Sequence, residues 1–140
     1  MSALVMLSPA PVIETPGGEV ILDTGFVEGM KLHCQLWPGR VCCVLRRGAG
    51  AISEGMRYHP SRLGFDLLVL DPTETLPEVL LDEASLVYCA LDDMTYLDLH
   101  RRMTGRLARL VHTVEQPLAG RITDALAHPS LRRRIGGVLW

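Results

Sequence analysis

Residues 85–100 read SLVYCALDDMTYLDLH. An apolar run without polar alternation stops at two adjacent carboxylates, Asp92 and Asp93, and a helical pattern with a third acid, Asp98, follows. A strand that is apolar on both faces belongs in a sheet covered on both sides, the setting of parallel strands joined by crossovers. The junction recurs twice: LLVLDP ends in Asp71 before Pro72, and LVHTVEQP ends in Glu115 before Pro117. Each acid stands where a strand pattern gives way to a helical one.

The flanking chain extends the alternation. ALVMLS (3–8) predicts a first strand, TPGG (15–18) a turn and EVILD (19–23) a short strand. TGFVEGMKLHCQLW (24–37) predicts a helix with Phe26, Met30, His33 and Trp37 on one apolar face. Asp23 or Thr24 caps it, and Pro38 with Gly39 stops it. RVCCVLR (40–46) is a buried-strand pattern, whereas residues 47–62 are polar and glycine-rich and predict a loop with weak helical content. FDLLVLD (65–71) predicts a strand, TLPEVLLDEA (75–84) a helix and SLVYCAL (85–91) a strand. MTYLDLHRRM (94–103) predicts a helix with Tyr96, Leu99 and Met103 on one side, and residues 108–114 a strand. PLAGRITDALAH (117–128) predicts a helix with Leu118, Ile122 and Ala125 on one face, and residues 129–140 begin another. These elements predict one α/β domain over residues 1–140, a Rossmann-like, doubly wound, mostly parallel sheet with helices on both faces.

A chain of 140 residues suffices for one such core. The net charge of −2 argues against a general nucleic-acid binder. The charge is nevertheless uneven: residues 1–95 carry 13 acids and 6 bases, residues 96–140 carry 3 and 8. Cys34, Cys42, Cys43 and Cys89 form no C-x-x-C pair, which argues against a zinc site or a disulfide framework and for buried free thiols in a reducing compartment. The apolar start has no basic residue before it and is broken by Pro9 and Pro11, so it reads as neither a signal peptide nor a membrane span. A cytoplasmic protein is expected.

The strand-end acids allow two readings. An Asp at a helix start accepts hydrogen bonds from free N–H groups and suits the helix dipole. Alternatively, the carboxyl ends of parallel strands share one edge, where ligands bind, and carboxylates there suit the hydroxyls of a polyol or a bridging divalent cation. Asp93 is the better cap and Asp92 the better ligand group. TPGG is either a plain hairpin turn or a loop whose Gly17 and Gly18 let backbone N–H groups approach a ligand.

Other motifs fail. GAGAISEG (48–55) puts Ser53 where a dinucleotide loop needs glycine, and there is no phosphate-binding G-x-x-x-x-G-K-[ST]. No G-x-S-x-G or H-E-x-x-H occurs. FDLLVLDP is similar to the phosphoacceptor strand of response-regulator receivers, but ALVMLS lacks their acid pair and Lys31 lies on the first helix. His112 reads as a satisfied core or edge histidine, and Arg132, Arg133 and Arg134 as a solvated face, or as a contact for an anionic ligand or membrane surface.

EVILDTGFVEGMKLHCQLWPGRV (19–41) resembles the early segment of bacterial glycosyltransferases built from two Rossmann-like domains, the GT-B architecture. ASLVYCALDD, LVHTVEQ and RRRIGGVLW resemble later parts of the amino-terminal half of that family, in the same order. The resemblance implies the acceptor-side, amino-terminal domain of an enzyme that uses a nucleotide-sugar donor. It further implies a chain that continues beyond Trp140 into a second domain, and no activity without that domain. It carries Gly17, Gly18, Asp92 and Glu115 over as substrate-binding positions, with no metal and no cofactor. The family's usual catalytic histidine after a strand has no counterpart, so no base is assigned. An isolated half should expose apolar surface and self-associate. The competing expectation is a stand-alone Rossmann-like binding or assembly module without catalysis.

Overall fold

The computed structural model describes residues 2–90, 96 and 98–113. Five strands, β1 (Ala3–Leu7), β4 (Arg40–Arg46), β6 (Asp66–Leu70), β7 (Leu86–Ala90) and β8 (Arg109–Thr113), form a sheet in the order β6-β4-β1-β7-β8. Every neighbouring pair in it is parallel. The chain first builds outward from β1 through β4 to β6, then returns to the other side of β1. That reversal puts a topological switch point between β1 and β7, and the fold is Rossmann-like.

The apolar runs are continuous because alternate residues serve opposite cores. Leu4, Met6, Val41, Cys43 and Leu45 face one side, where α1 (Thr24–Leu36) contributes Val27 and Met30. Val5, Leu7, Val44, Val87 and Cys89 face the other, against Leu81 of α2 (Glu78–Glu83) and Leu99 and Met103 of α3 (Leu99–Met103). Tyr96 joins Leu99 and Met103 in that second core, as the helical spacing predicts. Fully burying an aliphatic side chain of this kind stabilises the fold by roughly 1.5–3 kcal/mol.

A second, antiparallel sheet lies on the α1 side. β2 (Val12–Glu14) pairs with β3 (Val20–Asp23), and β3 pairs with β5 (Gly55–Tyr58). Its Val12, Val20 and Leu22 complete the first core. The expected loop over 47–62 is therefore corrected: it contains β5 and a 3-10 turn, Pro60–Arg62. GMRY has no strong period of its own, and β3 supplies the hydrogen-bond edge that makes it a strand. This small sheet covers the face where a crossover helix from β4 to β6 would otherwise lie.

Helix α1 runs as its sequence predicts. The Asp23 carboxylate accepts hydrogen bonds from Gly25 N–H (2.9 Å) and Phe26 N–H (3.2 Å), satisfying two donors that the first turn cannot pair. An added Cβ at Gly25 would stand 3.1 Å from that capping oxygen, so the small residue also clears room for the cap. The helix ends where Trp37 N–H returns to the His33 carbonyl at 2.9 Å. The chain then passes Gly39, where a Cβ would come within 1.9 Å of the Ser2 carbonyl oxygen. Only glycine lets β4 start this close to β1, and Arg40 N–H donates to the same Ser2 oxygen at 3.0 Å. Among the described residues no helix is long and apolar enough to cross a membrane.

Candidate functional site

An open pocket of about 210 Å³ lies at the carboxyl end of β1, at the switch point. Leu7 and Ser8 enter it where β1 ends, Tyr88 and Thr113 come from β7 and β8, and Gly25, Phe26, Gly29, Met30 and His33 come from α1. Gly25 and Gly29 are one helical turn apart, so this wall presents backbone where other helices present side chains. Its remaining lining is mixed: aromatic and thioether surface from Phe26, Tyr88 and Met30, and polar groups from Ser8, His33 and Thr113.

The polar groups have defined roles. His33 Nδ1 lies 2.9 Å from the Gly29 carbonyl oxygen. A carbonyl can only accept, so Nδ1 carries the proton and, in the neutral ring, Nε2 keeps its lone pair. The His33 and Tyr88 rings sit 6.0 Å apart at 60°, which steadies the imidazole. The Thr113 hydroxyl oxygen is buried and has no hydrogen-bond partner among the described residues. A buried hydroxyl left unpaired is costly, and a ligand hydroxyl reaching it would satisfy it.

At the end of β4, Arg46 organises the loop after β6. Its Nη1 donates to the carbonyl oxygens of Asp71 (2.7 Å) and Glu74 (2.6 Å), and its Nε to the Tyr96 hydroxyl at 3.3 Å. Arg102 Nη2 donates to the Leu76 carbonyl at 2.6 Å. Both cations spend donors on backbone, so the cleft between them is a braced loop rather than an open cationic site.

Asp71 ends β6 as the sequence predicts, but it starts no helix. Six residues separate it from α2, whose N-cap is Pro77 with no side-chain cap bond. Its carboxylate instead meets Arg47 Nη1 at 2.9 Å, and Arg47 Nε reaches Glu14 at 2.7 Å. Those two carboxylates push the Arg47 guanidinium above its ordinary range, Glu14 contributing most. Pro72 belongs to the loop, which the D-P pair alone cannot distinguish from a first helical turn.

Gly17 and Gly18 form the β2–β3 hairpin turn. Gly18 N–H donates to the Thr15 carbonyl at 3.1 Å, and its φ of 82° lies in the left-handed region that glycine adopts freely. Gly18 borders a different pocket, of about 370 Å³, with Pro60 and Leu67, at the end of the small sheet remote from the start of α1. Neither glycine lines the switch-point pocket. Asp92, Asp93 and Glu115 lie outside the described residues, as do the predicted helix 117–128 and the arginines at 132–134.

Ser8, His33 and Thr113 were not singled out as site residues by sequence. His33 has the spacing of a core position, and a half-buried pocket wall has the same period as a core face. One usable signal was Gly25 and Gly29, which leave one strip of α1 without side chains. The thiols are structural: Cys42, Cys43 and Cys89 are buried, and none of the four cysteines is in a disulfide. Burial pushes the Cys42 and Cys43 thiols up, away from the reactive thiolate. No group of three or more metal-ligating side chains occurs among the described residues.

Compared with protein-family models, curated proteins and solved structures, the chain gives no match.

Proposed function

We propose that this chain is the acceptor-side, amino-terminal domain of a cytoplasmic glycosyltransferase that uses a nucleotide-sugar donor, and that it is inactive without its second domain. The observation that carries the reading is the pocket at the switch point, which combines the Ser8 and Thr113 hydroxyls and the His33 imidazole with the apolar faces of Phe26 and Tyr88. A sugar ring has the matching chemistry: hydroxyls around its rim and C–H groups on its faces. His33 Nε2, with its lone pair free, would accept a hydrogen bond from the acceptor hydroxyl and orient it. The resemblance of residues 19–41 to the early segment of two-domain glycosyltransferases supports the same assignment. Leu32 and Leu36, one turn apart on α1 and 59% and 84% exposed, favour self-association.

Chemical-shift titration of the 140-residue chain with simple glycosides tests the reading. Saturable shifts are expected at Ser8, Gly25, Gly29 and His33, and His33→Gln should weaken them about tenfold, the loss of one good hydrogen bond from a partly buried site. Absence of any saturable shift overturns acceptor binding. Turnover of a sugar nucleotide by this chain alone overturns the dependence on a second domain.

A further inference from the structure

We infer that Arg57, His59 and Arg62 form a second binding site, for a phosphomonoester that carries a neighbouring hydroxyl. The three residues line a pocket with Glu19 and Tyr58, formed by the end of β5 and the 3-10 turn. β5 runs from Gly55, paired with Asp23 at the start of α1, to Tyr58, paired with Val20. The site therefore lies at the end of the small sheet remote from α1's start, away from the switch-point pocket.

The charges there are unspent. Four other arginines answer acids: Arg40 meets Asp66, Arg47 meets Glu14 and Asp71, and Arg102 and Arg106 meet Glu78. Neither the Arg57 nor the Arg62 guanidinium makes a hydrogen bond or ion pair among the described residues. His59 adds a directed donor. Its Nδ1 accepts from Ser61 N–H at 3.3 Å and lies 2.6 Å from the Ser61 hydroxyl oxygen. A backbone N–H only donates, so the neutral ring carries its proton on Nε2. Two arginines and this histidine line one concavity, and their combined donors match the oxygens of a phosphate.

Glu19 narrows the ligand. Its carboxylate opposes a bare anion but accepts a hydrogen bond from a hydroxyl. A phosphorylated polyol satisfies both requirements, with the phosphate on the arginines and the hydroxyl on Glu19. A soluble polyol phosphate and a phosphate-bearing lipid headgroup share this chemistry.

The test is a titration of the 140-residue chain at low salt with sn-glycerol 3-phosphate and with inorganic phosphate, read at the His59 ring signals. Both should saturate, glycerol phosphate more tightly. Arg57→Gln with Arg62→Gln should weaken both at least about tenfold, the loss of charge-assisted hydrogen bonds. Glu19→Gln should erase the preference for glycerol phosphate and leave phosphate bound. All these side chains except Glu19 and Tyr58 are exposed, so the variants should keep the wild-type melting curve. Cosedimentation with phosphatidylcholine vesicles, with and without phosphatidate, separates the two sources. Phosphatidate-dependent binding lost in the double arginine variant assigns the lipid, and saturable glycerol phosphate binding without cosedimentation assigns the soluble ligand. No saturation of the wild-type chain by about 20 mM, beyond the millimolar range of even weak sites, overturns the proposal. So does an equal loss on Arg101→Gln, on exposed α3 surface, which would mark unspecific attraction.

Discussion

Arg46 lies with its guanidinium carbon 5.2 Å from the centre of the Tyr96 ring. One arginine at the end of β4 thereby joins the loop after β6 to a side chain buried in the second core. The carboxyl edge of the sheet is held in shape by this bridge, since the loop 71–77 has no regular structure of its own.

Arg46→Lys should loosen that loop while leaving the charge in place. An ammonium cannot donate to two carbonyls and also lie over a ring as the flat guanidinium does. The expected cost is about 1–2 kcal/mol in urea unfolding, with faster amide exchange confined to residues 71–77. Unchanged exchange there would refute the bracing role.

Substitution of glycines should separate close approach from free space. Gly39→Ala forces a methyl group into the Ser2 carbonyl and disturbs the start of the β1–β4 ladder, a loss of roughly 1–3 kcal/mol or more. Gly17→Ala meets nothing within 4 Å and should change stability by less than about 0.5 kcal/mol. Thermal melts of the two variants side by side check the contrast.

Glu78 should contribute to acid sensitivity. The Arg102 hydrogen bond, with Arg106 nearby, holds its carboxyl below the usual carboxylate range. A depressed folded-state pKa stabilises the protein above the unfolded pKa, and the contribution is lost as pH falls through the folded value. Glu78→Gln should therefore flatten the acid limb of the stability profile below about pH 4–5, where an unfolded glutamate titrates, and leave the slope near pH 7 unchanged. Equal slopes in both proteins across the acid limb would contradict this.

The thiols should report burial in order. Cys34 is partly exposed, whereas Cys43 and Cys89 are 0% and 1% exposed. At pH 8 a thiol reagent should label Cys34 first, and Cys43 and Cys89 only at the rate of unfolding. Mass spectrometry of the labelled peptides gives the order.

Loss of core volume should be felt most where nothing can relax. Leu81, 0% exposed on α2, shares the second core with Val87 and Leu99. Leu81→Ala should cost about 2–5 kcal/mol, while Leu36→Ala, at an 84% exposed position, should cost little and should reduce self-association in light scattering.

The sequence alone determined the parallel sheet and its first helix. Runs such as RVCCVLR are apolar at every position because both faces of β4 are covered, and that requirement is written residue by residue. Asp23, the helical period of Met30 and the Pro38–Gly39 stop are equally local. Tertiary structure decided what depends on partners far along the chain. Met56 and Arg57 become strand because β3 offers Leu22 and Ile21 as neighbours. Asp71 becomes an ion-pair partner of Arg47 rather than a cap, and His33 becomes a pocket wall rather than core. Period and composition describe one stretch of chain at a time, whereas pairing, burial and pocket shape are set by which stretches meet.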